Sequence, residues 1–202
     1  TIDEETGLTG SEKLSDKALK SRILINLDSE DEGEMFIGCA GGVDTLGYMP
    51  FKKEDVDKSM IAYLLIIKGL KGGHSGDDIN KGLACANKVL NRILWKMNRE
   101  INIRLSDFDG GNLRNAIARE AKAVFMVANS DEKNMNDMVA TFIKEVKYEF
   151  RSTEPTMNIT LEKTTTPSFV VDKKSQDNLF NTLYAIPHGV LAMSREIPNF
   201  VE

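Results

Sequence analysis

Two cysteines and two histidines in 202 residues leave little material for disulfide or soft-metal chemistry. Cys39 and Cys85 lack metal-type spacing, and they read as buried thiols in a reducing compartment, which points to the cytoplasm. Aromatic residues are only 7% of the chain and the formal net charge is -5, which argues against nucleic-acid binding, since that needs clustered Lys and Arg. No apolar run approaches the roughly 20 residues of a membrane helix. Internal repeats and low-complexity segments are absent. The chain opens TIDEETG, without an initiator Met or a signal-type apolar region, and closes SREIPNFVE without a capping pattern. Both ends read as cut, so an internal fragment of a longer protein is expected.

What is present is 41% hydrophobic, enough for a globular domain. The order is read from periodicity. Thr1 to Thr9 reads as a strand end, Glu12 to Ser21 as a short polar helix, and Arg22 to Leu27 as a strand closed by Asp28. Met35 to Cys39 follows before the pair Gly41 and Gly42. From about Val43 the pattern changes. Strands are expected over Asp44–Met49 and Lys58–Leu70, then a helix with Ile79, Leu83, Ala86, Leu90, Ile93, Leu94 and Met97 on one face, started by Asp77 or Asp78. Asn102–Phe108 and Ala121–Val127 read as strands, and Asn129 or Ser130 caps a second helix striped by Met135, Met138, Val139, Phe142, Ile143 and Val146. A strand over Asn158–Thr164 and a helix over Asp172–Tyr184 complete the chain. The sequence predicts an α/β (α+β) protein: a ferredoxin-like β-α-β-β-α-β unit after a short α/β strip, with the boundary near Gly41–Val43.

Three places carry candidate chemistry. Asp3, Glu4 and Glu5 are consecutive carboxylates at a strand end, and Asp28 ends another strand. In α/β folds ligands gather at such ends, so a hard-cation or zinc site stands beside the alternative of a solvated acidic turn. His74 follows Gly72 and Gly73 where an apolar strand breaks. The glycines either end the strand or let backbone and imidazole approach a ligand closely. Arg114 and Asn115 lie in a turn led by Gly110 and Gly111. Arg114 reads equally as a surface charge and as a carboxylate clamp. The methionine stripe is core, and the run Glu30–Glu32 is a solvated loop.

The segments 4–10, 26–30, 32–34, 37–42, 69–76 (GLKGGHSG), 110–117 (GGNLRNAI) and 200–202, taken together and in order, resemble the bacterial aminoacyl-histidine dipeptidases, carnosinase-like members of the two-zinc aminopeptidase/carboxypeptidase superfamily. The resemblance spans nearly the whole chain. It implies Glu4 as general base, Glu5 and Asp28 as ligands of the two zinc ions, His74 as the lid residue that polarises the scissile carbonyl, and Asn115 as a substrate contact. It allows Glu30 a hydrogen bond to one of these metal ligands. It also implies hydrolysis of Xaa-His dipeptides, a homodimer formed through the lid, residues 1–42 as part of a catalytic domain and 43–202 as the lid and dimerisation domain. Ala118 departs from the family, which often has Pro there. The family's other metal ligands have no counterpart in this sequence, and His188, in a turn-like IPHGV context, does not match the late histidine. The resemblance therefore implies a metallopeptidase parent holding two zinc ions, and a chain that by itself binds no zinc and is inactive. The alternative is a non-catalytic ferredoxin-like binding or dimerisation module.

Overall fold

A computed structural model of the chain describes residues 9–23, 25, 27, 32–36, 41–198 and 201. It divides into two compact units, Thr1–Tyr48 and Met49–Glu202. In the first, helix α1 (Thr9–Glu12) is a single turn. It lies N-terminal to the helix expected over Glu12–Ser21, whose residues after Glu12 form turns and irregular backbone. That stretch is exposed throughout, and a short polar helix has no apolar face to hold it. The strand expected at Asp44–Met49 is also absent. Leu46 and Tyr48 are exposed, and the backbone there forms no strand.

The second unit begins with β1 (Lys53–Glu54) and β2 (Met60–Lys68). Helix α2 (Ala86–Glu100) and strands β3 (Ile103–Gly110) and β4 (Ala121–Ala128) follow. Then come helix α3 (Glu132–Glu149), β5 (Asn158–Lys163), β6 (Val170–Val171) and helix α4 (Lys173–Ala185). The order from β2 to β5 is the expected β-α-β-β-α-β. Four strands form an antiparallel sheet in the order β3-β4-β2-β5, while β1 and β6 pair as a two-stranded ribbon. Alternation fixes the register: Leu65 faces Ala123 in β4 and Leu161 in β5, and Ile67 faces Ala121 and Ile159. A one-residue slip would turn this whole set to the other face.

One face of the sheet is dry. Leu65, Ile67, Ile103, Phe125 and Val127 share a core with Leu90, Ile93, Leu94 and Met97 of α2 and with Met135, Val139 and Val146 of α3. The stripes predicted for both helices thus face inward. Their starts differ from expectation. Asp78 begins only a 3-10 turn (Ile79–Lys81) and makes no side-chain cap bond; α2 starts after Cys85. Asn129 and Ser130 lie in a second 3-10 turn, and Asp131 precedes α3. In place of a cap, Glu132 in the first turn of α3 accepts from Tyr63 Oη at 2.5 Å and pairs with Lys163 Nζ at 2.7 Å. These bonds to Lys163 and Tyr63 hold the Glu132 carboxyl below its ordinary range.

Helix α4 closes the sheet's β3 side. Asp172 caps it by accepting from the Ser175 N–H at 3.1 Å. Lys88 reaches from α2 to the other end, donating to the carbonyls of Leu183, Tyr184 and Ile186 at 2.5, 3.1 and 2.6 Å. A cation suits the negative end of a helix dipole. Between these ends Gln176, fully buried, behaves as one residue of a fifth strand. Its Oε1 accepts from the Leu105 N–H at 2.7 Å and its Nε2 donates to the Ile103 carbonyl at 3.0 Å. Gln176→Leu would leave that N–H and carbonyl without partners. A loss of about 3 kcal/mol is expected from one to three per buried unpaired group. Urea denaturation measures it, and a loss under about 1 kcal/mol would refute the strand-substitute role.

Candidate active-site loops

The segment from Lys71 to Ala84 connects β2 to α2 and carries His74. Gly72 and Gly73 have φ of 68° and 151°, conformations that favour glycine. Both are also tightly packed. A Cβ on Gly72 would lie 2.3 Å from Arg119 Cγ, and one on Gly73 would lie 2.6 Å from Asp78 Oδ2. The glycines therefore do more than end the strand: they let the chain fold down onto Asp78. That carboxylate accepts the His74 N–H at 2.6 Å and pairs with Lys81 Nζ at 2.5 Å.

The imidazole is oriented by backbone. Nδ1 lies 3.1 Å from the Gly76 N–H and 3.3 Å from the Asp77 N–H. A ring nitrogen that accepts carries no proton, so the neutral ring keeps its hydrogen on Nε2. The Asp77 carboxylate is 3.8 Å from Nδ1, beyond hydrogen-bond range. With the side chain 54% exposed, Nε2–H is available as a donor to a bound group.

The turn between β3 and β4 carries Asn115. It is laced to the histidine loop by backbone bonds: the Ser75 N–H donates to the Asn115 carbonyl at 2.9 Å, and the Ile117 N–H to the Gly73 carbonyl at 2.8 Å. His74 and Ala116 form a two-residue antiparallel bridge. The two loops singled out in the sequence, far apart along the chain, thus form one platform. Asn115 itself is exposed. Beside it opens a cleft of about 490 Å³ whose wall includes Ser75, Cys85, Asn87, Arg114 and His188. Buried Asn87 Oδ1 has no protein partner. His188, which sequence reasoning set aside as a turn residue, stands in this wall. Surrounding protein lowers its proton affinity, and the Leu83 backbone partly offsets this. No local signal in IPHGV announces the placement, because it depends on where α4 ends.

Glu4, Glu5, Asp28 and Glu30 lie outside the described residues. Among the described residues no group of three or more His, Cys, Asp or Glu is placed to hold a metal ion, so the described residues do not make a zinc site. Nor, among them, is any helix long and apolar enough to cross a membrane.

Residues 58–154 match the family described as "Peptidase dimerisation domain". The whole chain is 39% identical to the cytosol non-specific dipeptidase of Escherichia coli (strain K12), covering 100% of this chain and 42% of the relative. The crystal structure of aminoacylhistidine dipeptidase from Vibrio alginolyticus superposes with a TM-score of 0.82 at 36% identity, over 100% of this chain and 41% of that one. The resemblance to the aminoacyl-histidine dipeptidases therefore holds over the full 202 residues, and the chain spans about two fifths of the length of these relatives.

The Asp78 bonds predict a pH response. Lys81 first, and then the His74 amide, hold the Asp78 carboxyl below its ordinary 3.8. A carboxylate with a depressed folded value stabilises the loop above its unfolded value, and that contribution is lost as pH falls through the folded one. The His74 amide resonance should therefore titrate with a midpoint below 3.8, and Asp78→Asn should remove the transition. A midpoint at or above the ordinary value would contradict the bond.

Proposed function

We propose that the chain is part of a cytoplasmic metallo-dipeptidase that hydrolyses dipeptides, Xaa-His among them. Residues 43–202 form its lid and dimerisation domain, and residues 1–42 belong to its catalytic domain. The observation that carries this reading is the platform of His74 and Asn115. The two motifs that the family resemblance assigns to substrate are joined by backbone bonds and adjoin a cleft. The relatives' names support the reaction class, and they differ in breadth: one is called non-specific, the other aminoacylhistidine. The word cytosol in the first name supports the location.

In this reading the His74 Nε2–H donates to the scissile carbonyl oxygen as negative charge develops on it, and Asn115 holds one end of the dipeptide. A positioned donor of this kind is worth roughly 2.7–4 kcal/mol, a factor of about 10²–10³ in kcat. Glu4 acts as general base, and Glu5 and Asp28 each contribute to one of two zinc sites, which the 202-residue chain does not complete. The chain by itself is inactive. The matching family's name supports association as a homodimer through residues 58–154.

In the intact dipeptidase, His74→Ala should lower kcat by about 10²–10³ with little change in KM; an unchanged kcat would return His74 to a turn residue. Glu4→Gln should abolish turnover while zinc content stays at the unsubstituted level, and retained turnover would remove the base assignment. Sedimentation of the 202-residue chain should give a dimer. A monomer at all accessible concentrations would remove the dimerisation reading.

A further inference from the structure

Glu154 is only 3% exposed, which is rare for a carboxylate. It lies in the turn between α3 and β5, where its own N–H donates to the Phe150 carbonyl at 2.8 Å and its carbonyl accepts from Met157 at 3.1 Å. Its backbone is thereby fixed to the end of α3. Its two carboxylate oxygens go to two different places. Oε2 accepts from the Lys71 N–H at 2.8 Å, and Oε1 from the Ala84 N–H at 3.0 Å. Lys71 and Ala84 are the two ends of the segment that carries His74.

We propose that Glu154 is the positioning residue for His74: one buried carboxylate fastens both ends of the 71–84 segment and so sets where the imidazole stands. The proposal rests on His74 as a substrate contact for its catalytic meaning, but its structural content is independent of that reading. Residues 74–77 are exposed, so the middle of the segment gains little from core packing. It is held by the backbone bonds to 115–117, by the Asp78 carboxylate on the His74 N–H and, at its ends, by Glu154. Charge-assisted bonds to backbone N–H groups are about twice as strong as neutral ones. An apolar residue at 154 would avoid burying a charge, but it would leave both amides without an acceptor. The neighbouring Thr156 bond, Oγ1 to the Gly69 carbonyl at 2.7 Å, steadies the strand before the segment without touching either amide.

The test uses the 202-residue chain labelled with 15N. Its two histidines make the ring resonances assignable by comparison with His188→Asn. In Glu154→Gln one amide must face an NH₂ group, so it loses its acceptor. Hydrogen exchange at Lys71 or Ala84 should rise about tenfold or more relative to the Leu65 amide of the same sample. The His74 ring nitrogens should move from the pattern of a single Nε2–H form toward an average of the two forms. Thr156→Val, a matched local perturbation, should do neither. If Glu154→Gln fails to fold, Glu154→Asp replaces it, since the charge is kept but the shorter side chain cannot span both amides. Exchange at Lys71 and Ala84 that only follows Leu65, or His74 ring signals that do not move, would overturn the proposal. In the intact dipeptidase Glu154→Gln should lower kcat more than it changes KM. If the loop measurements succeed while His74→Ala leaves kcat unchanged, the functional reading fails and the clamp stands.

Discussion

The position of β2 at the centre of the sheet governs the rest. It pairs with β4 on one side and β5 on the other, antiparallel to both. Its last residues therefore lie beside the first residues of its neighbours: Ile67 opposite Ala121, and Lys68 opposite Asn158. Gly110, where β3 ends, pairs with the same Ala121. Three connections consequently leave the sheet at one end: the His74 segment after β2, the Asn115 turn before β4, and the Glu154 turn before β5. Register alone brings the histidine, the asparagine turn and the clamping carboxylate into one neighbourhood. Side-chain alternation fixes the register, so the site geometry is a consequence of core packing on one face of the sheet.

Much of this was legible in the sequence. Strand alternation and helix stripes are local, and they gave the β-α-β-β-α-β order because most buried positions in the strands and helices follow one period or the other. The two loops were marked by glycine and by resemblance. The features that hold the loops were not legible. Glu154 sits among polar residues in RSTEPT, and Gln176 among KKSQDN. Nothing nearby in sequence distinguishes them from solvated neighbours. Their partners lie about 70 to 83 residues away, and only the assembled fold shows that both are buried. The misplaced helix starts have the same origin. Asp78 was read as a cap by its position, whereas the turn at Gly72 and Gly73 directs its carboxylate back onto the His74 amide.

Four buried or partly buried polar side chains share a pattern. Gln176 bonds the backbone of β3, Glu154 bonds the ends of a loop, Lys88 bonds the end of α4, and Asn91 donates to the Phe180 carbonyl at 3.0 Å. The first three satisfy main-chain groups that regular secondary structure leaves open, while Asn91 bonds a carbonyl inside α4. In this unit the apolar core sets which elements pack together, and these few polar contacts set where the elements stop and how their connections run.

The carboxamide of Gln176 also bears on how copies of the chain can meet. Strand order places β3 and β5 at the two borders of the sheet. Over Ile103–Leu105 the first border is already taken by a side chain, so its main-chain groups cannot serve as a template for an incoming strand. Gln176 spans three residues of β3, which runs on to Gly110. The glutamine thus protects that part of the border from edge-to-edge pairing with another copy.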